Sequence, residues 1–269
     1  MDDVTKPSRV YDVATGDPIQ LQLQQDGADF RVLRQFGYRD PKYTEDFVVP
    51  ADVNKFSTDL ASIPRYFTWL VPGLGTHLPA VLLHDALVVK PGESPTHLGP
   101  AVDREEADRI LRDAMASLAT PRLRRWLMWT AVIIATCWST LRPRLWWRVR
   151  VIGTIAIVLV LGAIATLDLI DAWDVLPWMG DRPWWVEVLS GVVFAVIVPL
   201  VISIVWGHLW PAGAIAGIAL AFLVHVTLVL FALYCLYWVF ETVLSRGEGT
   251  GPNIKKSLDA AAAAPTPPA

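Results

Sequence analysis

The sequence predicts an α+β fold, a small antiparallel meander covered by helices, followed by a transmembrane α-helical hairpin bundle. Three observations carry this reading. Apolar residues alternate at period two from Ile19 to Phe47, they recur at helical spacing from Leu78 to Leu118, and long uncharged runs begin at Val151. Tryptophan follows the same division. Twelve of the 13 lie from Trp126 onward, as expected where indole rings collect at a membrane interface.

Residues 1–17 are polar and read as a flexible N-terminus, and residues 18–141 as the α+β domain. Ile19, Leu21 and Leu23 mark a first strand. Phe30, Val32, Phe36 and Tyr38 continue the period after the Asp26-Gly27 turn, broken only by Arg34, and Tyr43 and Phe47 follow Asp40-Pro41. A sheet this small needs an apolar cover. Ser62 caps a short helix with Pro64 in its first turn, which carries Tyr66, Phe67, Trp69 and Leu70. A second helix over Leu78–Val89 puts Ala80, Val81, His84, Leu87 and Val88 on one face. A third opens at Asp103, with Glu106 three residues on as in a capping box. Its stripe is Ala107, Ile110, Leu111, Ala114, Met115 and Leu118, with Asp108 at the edge and Arg104, Arg109 and Arg112 nearer the wet side. The 16-residue uncharged run from Trp126 is short for a hydrocarbon core of roughly 30 Å, and reads first as an amphipathic or buried helix that closes the domain or lies on the membrane surface, with a fourth span as the alternative.

Residues 142–241 read as a membrane domain with three spans, at about 151–170, 187–206 and 212–240, and 242–269 as a disordered tail. The long uncharged stretch Val188–Phe240 is broken at Gly207-His-Leu-Trp-Pro211, and Gly213-Ala-Ile-Ala-Gly217 offers a close helix approach. Arg142, Arg144, Arg148 and Arg150 precede the first span, whereas Asp171, Asp174 and Asp181 follow it. The arginine excess places the N-terminal domain in the cytoplasm of an integral membrane protein. The expected partner is the lipid bilayer, with a homo-oligomer through the membrane helices as a further expectation. A net charge of -3 without an aromatic-interleaved basic stripe argues against nucleic acid. The two cysteines, Cys137 and Cys235, sit in apolar runs and cannot staple the N-terminal half. The start is too polar for a cleaved signal peptide, so insertion would use an internal segment.

Chemistry-bearing side chains concentrate between Phe56 and Asp108. His84 and Asp108 on neighbouring helices form a candidate catalytic pair, the carboxylate fixing the imidazole tautomer and leaving the other nitrogen to activate water. Asp85 and Asp59 are candidate oxygen ligands for a divalent cation such as calcium, and no other cofactor site is read. Thr58, Ser62 and Arg65 are read as structural, Arg65 as an ion-pair partner of Asp59. The alternative for the whole cluster is structural, because buried charges need partners whether or not they react.

Phe56-Ser-Thr-Asp-Leu-Ala-Ser-Ile-Pro-Arg65, Leu83-His-Asp85 and Arg104-Glu-Glu-Ala-Asp108 resemble the blocks of the DUF1353 family, over roughly residues 15–140. The resemblance implies a domain of unknown function in a phage or prophage setting. Val88 stands where the family has Tyr, and Leu111 where it has an aromatic. A looser likeness is to phospholipase A2, whose His-Asp helix faces an Asp that orients the His, roles onto which His84, Asp85 and Asp108 map. Three functional readings follow: a membrane-anchored phage-type protein of unknown activity, a His–Asp hydrolase that is lipid-directed and metal-assisted, and a scaffold or membrane-acting lysis or assembly accessory.

Overall fold

The computed structural model describes residues 9–16, 18–27, 29–58, 72, 74–88 and 94–244. The short helix expected after Ser62, together with Asp59, Arg65 and the tail from residue 245, lies outside the described residues. The chain divides into two units, Met1–Val224 and His225–Ala269.

The fold is α+β, but the strands form two small antiparallel sheets rather than one meander. One is ordered β1-β4-β5 (Val10–Asp12, Phe36–Tyr38, Phe47–Val49) and the other β2-β3-β6 (Leu23–Asp26, Asp29–Val32, Ser57–Thr58). The division falls where the alternation breaks. After β3 the chain leaves the second sheet, and the Arg34 guanidinium turns to the fully buried Asp12 carboxylate of β1 through Nε to Oδ2 and Nη2 to Oδ1. That hydrogen bonding, more than burial opposes it, holds the Asp12 carboxyl below the ordinary aspartate range. The polar start thus contains a strand. β1 pairs with β4 in the register Val10 to Tyr38 and Asp12 to Phe36.

The two sheets and two helices share one core. Val10, Val32, Phe36, Tyr38, Phe47 and Val49 pack against helix α1 (Leu78–Leu87) and helix α2 (Arg104–Ser117). α1 is apolar on every side, and nine of its ten residues are buried, as expected of a helix enclosed by other elements rather than laid on a surface. α2 is amphipathic. It starts at Asp103, whose side chain accepts from Glu106 N at 2.8 Å, and it buries Ala107, Ile110, Leu111, Ala114 and Met115.

Helix α3 (Arg122–Ser139) packs on α2 and buries Trp129, Thr130, Ile133, Thr136 and Cys137, the closing role expected for it. Helix α4 (Arg144–Leu169) follows a tight corner, then α5 (Trp184–Ser203), a 3-10 turn (Ile204–Leu209) and α6 (Trp210–Leu244). Among the described residues two stretches are long and apolar enough to cross a membrane: Arg144–Leu169, and the run Trp184–Val224. The second run is broken at Gly207, whose φ of 61° and ψ of -126° are open only to glycine. The chain folds back there. A Cβ on Gly217 would stand 2.6 Å from Pro199 Cβ, and one on Gly213 would stand 2.8 Å from the Trp206 ring. The small-residue pair read from the sequence therefore works within the chain, letting α6 close on α5 and on the turn.

Gly37 of β4 faces Tyr11 of β1, and a Cβ there would lie 2.3 Å from the tyrosine ring, which is itself tethered by its hydroxyl to Asp46 at 2.5 Å. Gly37→Ala is expected to lower stability by about 1–3 kcal/mol. Thermal denaturation of the full chain in detergent checks this, and an unchanged midpoint would contradict it.

Candidate functional site

Asp108 lies in the middle of α2 with no exposed surface. A carboxylate in that position must be paired and hydrogen-bonded, and three elements supply the partners. His84 of α1 approaches Asp108 Oδ1 with Nε2 at 2.7 Å. Thr136 of α3 donates its hydroxyl to Oδ2 at 2.6 Å. Arg104, one turn before Asp108 on α2, donates Nε–H to the Thr136 oxygen at 3.1 Å. The directions form a consistent relay. The arginine has only donors, the threonine accepts from it and donates onward, and the carboxylate accepts from both threonine and histidine.

The acceptor role of Asp108 assigns the histidine tautomer. Nε2 carries the proton in that bond, so a neutral His84 presents Nδ1 as a lone pair. Among the described residues the ring's hydrogen bond is the one from Nε2 to Asp108, which leaves Nδ1 uncommitted, and the side chain keeps 9% of its surface exposed. This is the geometry of an oriented base with its reactive nitrogen uncommitted.

The adjacent Asp85 is tied to the sheet. Thr58 of β6 donates to Asp85 Oδ2 at 2.9 Å, which joins the first polar block to the His-Asp pair. Asp59, Ser62 and Arg65 lie outside the described residues, so the pairing expected of Asp59 with Asp85 or Arg65 falls there too. Among the described residues no three His, Cys, Asp or Glu side chains come together as a metal site. His97 does have partners. It stands between the carbonyls of Ala86 and Pro100, at 3.0 and 3.2 Å, and ties the loop to the end of α1. His77 is fully buried at the start of α1, and burial lowers its pKa.

A second polar network was not apparent from residue types. Arg109 of α2, assigned above to the wet side, bonds Glu106 at 2.9 Å and Asp113 at 2.8 Å and pairs with the buried Asp40 at 3.0 Å. Lys42 and Tyr43 reach Glu106 from the β4–β5 connection at 2.8 and 3.1 Å. Burial alone would raise the Glu106 pKa, but the donors from Arg109, Lys42 and Tyr43 outweigh it and bring it down to about 2. The i, i+3 and i+4 spacing of Glu106, Arg109 and Asp113 was the available signal. What it lacked was Asp40, 69 residues away in sequence from Arg109. A cleft of about 500 Å³ opens beside this network, lined by Lys42, Glu105, Arg109, Arg112, Trp129 and Leu209 among others. Neither His84 nor Asp108 lines it. On α3, burial pushes the Cys137 thiol up to about 12, so it is an inert packing residue.

Residues 30–132 match the family model of DUF1353, a protein of unknown function. The family resemblance read from the polar blocks is thereby shown for the segment from β3 into α3, which holds His84, Asp85 and Asp108 and stops short of α4. No curated protein and no solved structure matches the chain.

Glu106 supplies a pH prediction. Its folded pKa lies below the ordinary 4.5, so its contribution is complete above about pH 4.5 and is lost as pH falls toward about 2. Glu106→Gln is expected to cost on the order of 2 kcal/mol at pH 7 and almost nothing at pH 2. Parallel denaturation curves over that range check it, and a pH-independent difference would contradict it.

Proposed function

We propose that this protein is a membrane-anchored module whose His84–Asp108 pair performs general-base hydrolysis on the cytoplasmic side. Its setting would be the phage or prophage one that the family resemblance implies. The single observation that carries the catalytic part is the 2.7 Å bond from His84 Nε2 to a fully buried Asp108, with Nδ1 left unpartnered among the described residues. In such a pair the carboxylate holds the ring and stabilises the imidazolium that forms, while Nδ1 takes a proton from water. The substrate class that fits a base beside apolar helices at a bilayer is an acyl ester, which includes lipid. Divalent-metal assistance through Asp85 and Asp59 belongs to the same reading, and calcium titration of the full chain tests it.

Membrane insertion is supported by exposure as well as length. The most apolar 18-residue windows of α4 and of the Trp184–Val224 run are only 22% and 11% buried, unlike the core helices of a soluble protein. α5 alone, at 20 residues, is about 30 Å long, which matches a hydrocarbon core. The 3-10 turn also touches the N-terminal domain, through His208 and Glu105 at 2.8 Å. That supports α4 leaving from the domain side, α5 returning to it and α6 leaving again. Gly213 and Gly217 are filled by Trp206 and Pro199, so a homo-oligomer through the membrane helices would use other faces.

One observation favours a second reading. The Asp108 network ties α1, α2 and α3 together with Asp108 and Thr136 at zero exposure, as a structural clip in a scaffold or membrane-acting accessory would. His84→Gln separates the two. On the hydrolytic reading it lowers turnover of short-chain acyl esters by at least about 100-fold while the melting temperature holds. A wild-type chain without turnover, with a variant that unfolds, would leave only the clip. For topology, a reporter fused after Glu241 is expected to signal from outside, and a cytoplasmic signal would overturn the odd number of spans.

A further inference from the structure

We infer that the corner between α3 and α4 binds the headgroup of an anionic phospholipid, with Arg148 and Arg150 as its phosphate-facing cations. This rests on the membrane reading above and adds a ligand to it.

The first observation is a charge imbalance. Between Asp113 and Asp168 the sequence has seven arginines and no acidic residue. Elsewhere five arginines are neutralised, Arg31 by Asp26, Arg34 by Asp12, Arg39 by Asp46, and Arg109 and Arg112 by Asp113, while Arg104 and Arg182 bond a threonine hydroxyl and backbone carbonyls. Among the described residues, none of Arg142, Arg144, Arg148 and Arg150 pairs with a carboxylate. Four like charges within nine residues repel one another unless an anion from outside the chain sits among them.

The second observation is that two of these cations are held in place. The Arg148 guanidinium lies 5.1 Å from the Trp138 ring, and its Nε donates to the Trp138 carbonyl at 3.3 Å. The Arg150 guanidinium lies 4.8 Å from the Trp146 ring and 4.7 Å from the Trp147 ring. Indole faces fix the plane of each guanidinium, and with Arg148 Nε committed to the carbonyl and Arg150 Nε buried, the terminal Nη donors are the ones left to meet phosphate oxygens. The third observation selects lipid over a free anion. Leu145, Val149 and Ile152, on the same two turns of α4, are 76%, 53% and 53% exposed, so acyl-chain surface lies beside the phosphate-binding edge. Trp146 is 55% exposed and Trp138 is 44% exposed, the placement of interfacial aromatics.

The test is native mass spectrometry of the full chain released from detergent with an equimolar mixture of phosphatidylglycerol and phosphatidylcholine. The wild type is expected to retain phosphatidylglycerol in roughly tenfold preference. Arg148→Gln/Arg150→Gln should bring the two lipids to parity, while Arg122→Gln/Arg125→Gln keeps the preference. Equal retention by the wild type, or a preference that survives Arg148→Gln/Arg150→Gln, overturns the inference. So does displacement of the lipid by millimolar inorganic phosphate, which would mark a free-anion site. If the double variant does not fold, Arg148→Gln and Arg150→Gln singly carry the same comparison, each expected to lower the preference, and an unchanged preference in both overturns the inference. Alkaline carbonate extraction keeps the two claims apart. A chain stripped from membranes defeats the membrane reading itself, whereas a retained chain without lipid preference defeats only this inference.

Discussion

A carboxylate with no exposed surface, Asp108, constrains the N-terminal part of this protein more than any apolar contact does. The core residues around it are exchangeable in kind, since a leucine lost costs packing that neighbours partly recover. Asp108 has no such tolerance. Leaving a buried charge without its partners costs about 3–5 kcal/mol, so α1, α2 and α3 are held in the one arrangement that brings His84, Asp108 and Thr136 together. The same requirement sets the protonation of His84, because an oxygen that only accepts demands the proton on Nε2. Site geometry and helix packing therefore have one cause, and the question of catalyst or clip turns on what happens at the other imidazole nitrogen.

The electrostatics of the chain change character along its length. In the domain, charges are matched locally: Arg34 with Asp12 where the two sheets part, and Arg109 with Glu106, Asp113 and Asp40 on the outer side of α2. Between Arg122 and Arg150, Arg148 and Arg150 lie against indole rings, Arg122, Arg142 and Arg144 stand exposed, Arg124 and Arg125 are half-buried, and the acids reappear only at the far end of α4. There Asp168 is again a buried carboxylate with a structural task. It accepts from the backbone N–H groups of Val175, Leu176 and Gly180 and so shapes the connection to α5. The contrast between a neutralised domain and an unneutralised corner is what a chain entering a bilayer through its headgroup layer would need.

Much of this was legible in the sequence for identifiable reasons. α2 announced itself through Asp103 and Glu106, and its apolar stripe covers every buried apolar position because one face of a helix repeats visibly at 3.6 residues, whereas Asp108, read at the edge of that face, is fully buried. His84 and Asp108 stood out as polar residues on apolar faces, and they do meet. Gly213 and Gly217 were read as a close approach, and they are one. What escaped the sequence was non-local. Nothing in Arg34 says that it will find Asp12, so one meander was expected where two sheets form. Nothing near Arg104 or Asp108 points to Thr136, 28 residues beyond Asp108 on a helix read for its hydrophobicity. α1 was assigned one buried face and has burial on nearly every side, because periodicity cannot register a helix that is apolar at all but His84 and Asp85.

The most direct test of this account is the tautomer of His84, read by nitrogen-15 NMR of histidine-labelled full-length protein, with the resonance assigned by its loss in His84→Gln. The account predicts a strongly hydrogen-bonded Nε2–H and, in the neutral ring, Nδ1 at the shift of an unprotonated nitrogen. A proton on Nδ1, or the averaged signal of a freely exchanging histidine, would contradict it.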